Sequence, residues 1–88
     1  MKSPLIAIIV PTYNHEKFIG RCLRSLINQN FARDKYEIIV VDDGSTDKTQ
    51  SALKVFMNDI VYIRNEQNMG LPAAINKGIA STRSPYVV

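Results

Sequence analysis

Runs of apolar residues divide the chain, each bounded by polar or turn-forming residues. Leu5-Ile6-Ala7-Ile8-Ile9-Val10 is continuous rather than alternating and stops at Pro11. A β-branched run of this length suits a strand covered on both faces, as in a parallel sheet. Tyr36 to Val41 repeats the pattern and stops at Asp42-Asp43-Gly44. Ile60-Val61-Tyr62-Ile63, within Asp59 to Arg64, predicts a third strand, and Tyr86-Val87-Val88 begins a fourth. Between the strands the period changes. Phe18, Ile19, Cys22, Leu23, Leu26 and Ile27 recur at three- and four-residue intervals and line one stripe of a helix. Asn14 is its expected N-cap, and Glu16 in the first turn would complement the helix dipole. Ser45-Thr46-Asp47 supplies capping residues for a second helix, with Ala52, Leu53, Phe56 and Met57 facing inward. Pro72, tolerated in a first turn, opens a third. There Ala74 and Gly78 form a small-residue edge beside Ile75 and Ile79, which predicts close packing on the sheet.

The order is therefore β-α-β-α-β-α-β, which predicts an α/β fold with a doubly wound, mostly parallel sheet. The fourth strand has no visible end, and 88 residues make only half of a typical nucleotide-binding sheet. The expectation is a Rossmann-like half, truncated at the C-terminus, from a longer enzyme.

Composition narrows the class without naming a function. At 45% hydrophobic and 22% charged, the chain is an ordinary globular sequence, not a disordered or collagen-like one. One cysteine excludes an internal disulfide, and no Cys/His cluster has zinc-ligand spacing. The longest apolar run is too short to span a bilayer and lacks a cleavage site for a signal peptide. The expected location is the cytoplasm, with the inner face of the membrane left open. A net charge of +3 identifies no partner. Lys17, Arg21 and Arg24 share a helix face, for which a solvated surface is the plainer account. The scattered aromatics and the absence of a dense Lys/Arg run argue against nucleic acid.

In an open parallel sheet, ligands bind beyond the carboxyl ends of the strands. Three polar segments occupy those positions: Pro11-Thr12-Tyr13-Asn14, Asp42-Asp43-Gly44-Ser45-Thr46-Asp47 and Asn65-Glu66-Gln67-Asn68-Met69-Gly70. The first lacks the glycines of a dinucleotide turn, and no Gly-x4-Gly-Lys-Ser/Thr loop exists. A nucleotide would then be held by its base and ribose, with Tyr13 flanking the base and Thr12 offering a hydroxyl. The Asp42-Asp43 pair could accept hydrogen bonds from a base imide or ribose hydroxyls. Taken alone, it could equally form a turn with Gly44 and cap the next helix.

Together, in this order and spacing, the three segments resemble the start of a family 2 glycosyltransferase. Ala74, Asn76, Gly78 and Ser84-Pro85-Tyr86 extend the match, which covers Pro4 to Val88. The resemblance implies a GT-A fold. It also implies transfer of a sugar from a nucleotide-diphosphate donor to an acceptor hydroxyl, usually with inversion, in glycan or cell-envelope polysaccharide synthesis. Residues 1–88 would form the nucleotide-sugar-binding N-terminal part of an incomplete domain. Pro11, Thr12 and Tyr13 would line the nucleotide pocket, Asp43 would contact a uracil-type base, Asp42 would help shape the pocket, and Asn68 to Gly70 would border it. The implied partners are a sugar donor of the uridine diphosphate type and a sugar or lipid-linked acceptor. The family's divalent metal (Mn or Mg) and general base would lie beyond Val88. The fragment alone would then bind no metal and be catalytically silent, and its uncovered edge could favour self-association.

Three other readings compete: a non-catalytic nucleotide-binding or interaction module, a phosphoacceptor receiver domain and a phosphatase of the haloacid-dehalogenase type. A receiver places its acidic pair after its first strand, whereas here the pair follows the second. A haloacid-dehalogenase-type phosphatase would need an acidic residue at Val41. Cys22, on the apolar stripe, is expected to be a buried thiol. His15 is expected at the surface, and Asn76 and Gly78 are expected to serve helix packing.

Overall fold

The computed structural model describes residues 4–29 and 32–88. Strands β1 (Ile6–Thr12), β2 (Tyr36–Asp42), β3 (Val61–Arg64) and β4 (Tyr86–Val87) alternate with helices α1 (Ile19–Ile27), α2 (Thr49–Leu53) and α3 (Leu71–Ala80). Short 3-10 turns at Arg33–Lys35 and Lys54–Phe56 precede β2 and extend α2. The sheet is parallel throughout, in the order β3-β2-β1-β4. That order matches one wing of the dinucleotide-binding sheet and differs from the 2-1-3-4-5 order of receiver domains. The receiver reading is thereby excluded.

Strand β2 lies between two partners and two helical layers, so Ile38, Ile39, Val40 and Val41 are all buried. Because strand residues alternate between faces, its even positions join one core and its odd positions another. On one face, Ile38 and Val40 pack with Ile19 and Leu23 of α1, Tyr36, Leu53 and Phe56. The Tyr36 hydroxyl donates to the Leu26 carbonyl at 2.8 Å and so satisfies the end of α1. On the other face, Ala7, Ile39 and Val41 meet Ala74 of α3.

The predicted small-residue edge of α3 sits directly on the sheet. A Cβ placed on Gly78 would lie 2.7 Å from Ile9 Cγ2 and 3.2 Å from Val41 Cγ2. Both atoms belong to β-branched side chains of central strands, which cannot swing aside. Gly78→Val is expected to cost about 2–4 kcal/mol by overpacking, read as a lowered chemical-denaturation midpoint.

Four sequence expectations change, the first being Met57, which is exposed rather than facing inward with Leu53 and Phe56. Pro11 does not end β1 but continues it, paired in register with Val41. Ile9, two residues earlier, donates to Val88 O on the β4 side. Pro11 faces that same side, past the end of β4, so its missing N–H removes no ladder bond. Helix α1 starts at Ile19, with Phe18 as its cap and no side-chain cap bond, so Asn14 and Glu16 lie outside it. Cys22 is exposed rather than buried. The contact stripe of α1 centres on Ile19, Leu23, Leu26 and Ile27, and Cys22 sits at its margin beside Phe18, itself 66% exposed.

Candidate functional site

The carboxyl ends of β1 and β2, the loop after β3 and the start of α3 meet at one rim. The backbone ladder brings them there. Asp43 N–H donates to Thr12 O at 2.9 Å and Asn65 N–H to Asp42 O at 2.8 Å, extending the pairing one residue past β2 and β3.

Strand alternation sends the two acidic side chains to opposite faces. Asp42 continues the Ile38–Val40 face and is fully buried. Its Oδ1 accepts the Ser45 N–H at 2.9 Å. Its Oδ2 accepts the Tyr62 hydroxyl at 2.8 Å and Arg64 Nη1 at 2.9 Å. Arg64 also donates to Ser45 O at 3.0 Å, so the cluster ties the 43–45 turn to β3. Burial, and then the neighbouring Asp42 carboxylate, push the Tyr62 hydroxyl above its ordinary pKa.

Asp43 turns the other way, toward α3. Its Oδ1 accepts Asn65 Nδ2 and the Met69 N–H, each at 2.9 Å, and its Oδ2 accepts the Gly70 N–H at 2.9 Å. The Asn65 amide foremost, then the Met69 N–H, lower its pKa; burial opposes them and the Gly70 N–H adds to the lowering. The folded value lies below the unfolded one. The stabilisation is therefore present above the ordinary carboxylate range and is lost as pH falls through the folded value. Stability is expected to hold down to about pH 4 and drop below it. Asp43→Asn should remove part of that drop in an acid-unfolding series.

A second network fixes the loop after β1. Asn14, at φ 53°, accepts the Thr46 N–H at 2.8 Å and the Asp47 N–H at 3.3 Å. Its own N–H donates to Ser45 Oγ, and the His15 N–H donates to Thr49 Oγ1, both at 2.9 Å. Asn14 therefore pins the first loop to the second instead of capping α1. Asp47 bonds the Thr49 N–H and hydroxyl at 2.9 and 2.5 Å. Burial raises the Asp47 pKa, but the Thr49 donors and the Glu16 N–H outweigh it, leaving the value lowered.

These constraints frame a cleft of about 240 Å³. Six of the residues singled out in the sequence line it: Pro11, Thr12, Tyr13, Asp43, Asn68 and Gly70. Asp42 does not line it. The period of two places its side chain behind the turn, where it braces the wall from the opposite face. Asp42→Asn is expected to lower stability by about 1–3 kcal/mol, because Tyr62, Arg64 and Ser45 lose a charged acceptor. Ligand affinity of the folded protein should stay within twofold, as read by a titration below the melting temperature.

His15, Leu71 and Ala74 complete the lining and were not read as site residues in the sequence. His15 Nδ1 lies 3.1 Å from Thr12 Oγ1, which brings the ring back over the strand end. Leu71 and Ala74 are placed by the first turn of α3. Their mutual spacing of three, directly after Gly70, was the available signal.

The site does not fit a divalent cation. Asp42 and Asp43 diverge, and each carboxylate is already met by protein donors. Among the described residues, no three His, Cys, Asp or Glu side chains gather to hold an ion.

Fold and cleft together define an α/β protein with a cleft at the carboxyl edge of a parallel sheet, the edge where ligands of such sheets bind. The sequence pattern described as Glycosyl transferase family 2 matches residues 7–88, and the chain belongs to that family. It is 38% identical to the poly(ribitol-phosphate) beta-glucosyltransferase of Bacillus spizizenii, covering 94% of this chain and 14% of the relative. S. aureus TarS 1-349, in complex with UDP-GlcNAc, superposes with a TM-score of 0.86 at 35% identity, covering 94% of this chain and 25% of the other. A mannosyltransferase of Pyrobaculum calidifontis, in complex with GDP-Man and Mn2+, gives 0.82 at 31% identity, covering 93% and 25%. The GT-A-type fold expected from the sequence is thus established. Across eight curated relatives, the chain spans between 12% and 31% of the relative's own length.

Proposed function

We propose that residues 1–88 are the donor-binding part of a glycosyltransferase domain. The full-length protein would transfer a sugar from a nucleotide-diphosphate sugar to the hydroxyl of a sugar or lipid-linked acceptor. Transfer proceeds with inversion, in glycan or cell-envelope polysaccharide synthesis. The observation that carries this reading is the single cleft shared by Pro11, Thr12, Tyr13, Asp43, Asn68 and Gly70.

The geometry suits a base and ribose. The Tyr13 ring, 40% exposed at the rim, offers an aromatic face. A carboxylate has about four acceptor positions, and protein donors take three on Asp43. The remaining one can receive the imide N–H of a uracil-type base. The N–H groups of Met69 and Gly70 at the start of α3 already bond Asp43, so the cleft is not a phosphate cradle of the helix-terminus kind. At about 240 Å³ it lies below the roughly 300–1,000 Å³ of drug-sized ligand pockets, in keeping with part of a donor rather than the whole.

The Mn2+ of the mannosyltransferase supports a divalent metal in the full-length enzyme. The residues described here do not hold it. The cleft also presents no carboxylate free to act as general base, so this chain by itself is expected to be silent. Titrating the full-length protein with UDP and GDP, followed by amide NMR, tests the reading. Saturable binding that favours UDP and perturbs Tyr13, Asp43 and Asn68 is expected. Perturbations confined elsewhere, or no binding of either nucleotide, would overturn it.

A further inference from the structure

Asn65 stands between two opposite charges. Its Oδ1 accepts Lys77 Nζ at 2.6 Å, and its Nδ2 donates to Asp43 Oδ1 at 2.9 Å. The amide is buried at 7% exposure, while Lys77 reaches it from the outer side of α3. Reversing the amide would set its N–H groups against an ammonium and its carbonyl against a carboxylate, so one orientation prevails. The bond from Lys77 goes to a neutral oxygen. The ion pair found among the described residues, Arg64 with Asp42, lies on the opposite face of the sheet. The lysine charge therefore acts through the amide, polarising it and strengthening the N–H that Asp43 receives.

We propose that Lys77 is a positioning residue for Asp43, acting through the Asn65 side chain, which it locks in the orientation that keeps the carboxylate anchored in the cleft. The inference deepens the donor-binding reading and rests on it for its functional consequence. With Oδ1 held by Asn65 and Met69, Oδ2 carries only the Gly70 bond and is the oxygen with capacity for a ligand N–H. Lys77 thus fixes which oxygen meets the base. Nothing in the motif segments pointed to it, because it lies seven residues past Gly70 and touches no ligand surface of the cleft.

Other charged or titratable groups around Asp43 are accounted for. Tyr13 and His15 line the cleft from the β1 loop. Asp42 and Arg64 pair behind the turn, and Glu66 is exposed on the loop itself. Lys77 is the charged residue that α3 contributes.

The test compares wild type, Lys77→Met and Lys77→Arg in the full-length, ligand-free protein by carboxyl NMR titration, followed by UDP binding. Lys77→Met should raise the Asp43 midpoint, shift and broaden the Asn65 side-chain amide signals, and weaken UDP about three- to tenfold. Lys77→Arg should restore all three, a rescue that a packing role alone would not give. An Asp43 midpoint and Asn65 signals unchanged in Lys77→Met, or not restored by Lys77→Arg, would overturn the proposal. If wild type fails to bind UDP while the titration behaves as described, the donor-binding reading falls and the Lys77–Asn65–Asp43 link stands.

Discussion

Replacing Asp43 with alanine in the full-length protein is expected to weaken UDP binding about tenfold to a hundredfold and to destabilise the fold. Two separate losses combine. A base imide bonded to a buried carboxylate is worth about 1.5–3 kcal/mol, which sets the affinity change. The Asn65 amide and the Met69 and Gly70 N–H groups also lose their common acceptor. With partial compensation by water, that adds a stability cost of about 2–4 kcal/mol. Calorimetric titration at a temperature where the variant is fully folded separates the two. Lower stability with unchanged affinity would leave Asp43 an anchor of the 65–70 loop and nothing more.

Gly44→Ala should be nearly as damaging, for a reason unrelated to any ligand contact. Gly44 sits at φ +79°, where a side chain costs roughly 1–2 kcal/mol. Its added Cβ would also lie 2.7 Å from Gln67 C and 2.8 Å from Asn68 N. These are backbone atoms and cannot rotate out of the way. The whole 65–70 loop would have to lift, taking Asn68 out of the cleft wall. A stability loss of about 2–4 kcal/mol in urea unfolding is expected, with UDP affinity reduced at least fivefold. A variant as stable as wild type, with intact binding, would mean that the loop is not seated on the turn.

Both predictions depend on how the three polar segments meet. Their convergence was legible in advance because parallel strands all point their carboxyl ends to one edge. Six of the seven expected site residues share the cleft for that reason. The seventh, Asp42, was expected to help shape the pocket and braces its wall from behind the turn; its ties to Tyr62 and Arg64 lie beyond a reading of the chain in one dimension. Asn14 illustrates the same limit. Its side chain is a good cap in isolation, yet the neighbouring 45–47 turn offers it two N–H donors, and the helix begins five residues later. Cys22 fits the apolar stripe by spacing, but which part of a stripe is covered depends on where the helix lies over the sheet.

The order of strands and helices, the parallel sheet, the small edge of α3 and the convergence of the three polar segments on one edge follow from residue types and their periods, which are local properties. The tie of Arg64 to Asp42, the clamp of Asn14 on the second loop and the reach of Lys77 to Asn65 came only with the folded chain. Each needs two segments 12 to 33 residues apart to present donor and acceptor at hydrogen-bond distance. No pattern along a single chain encodes that distance.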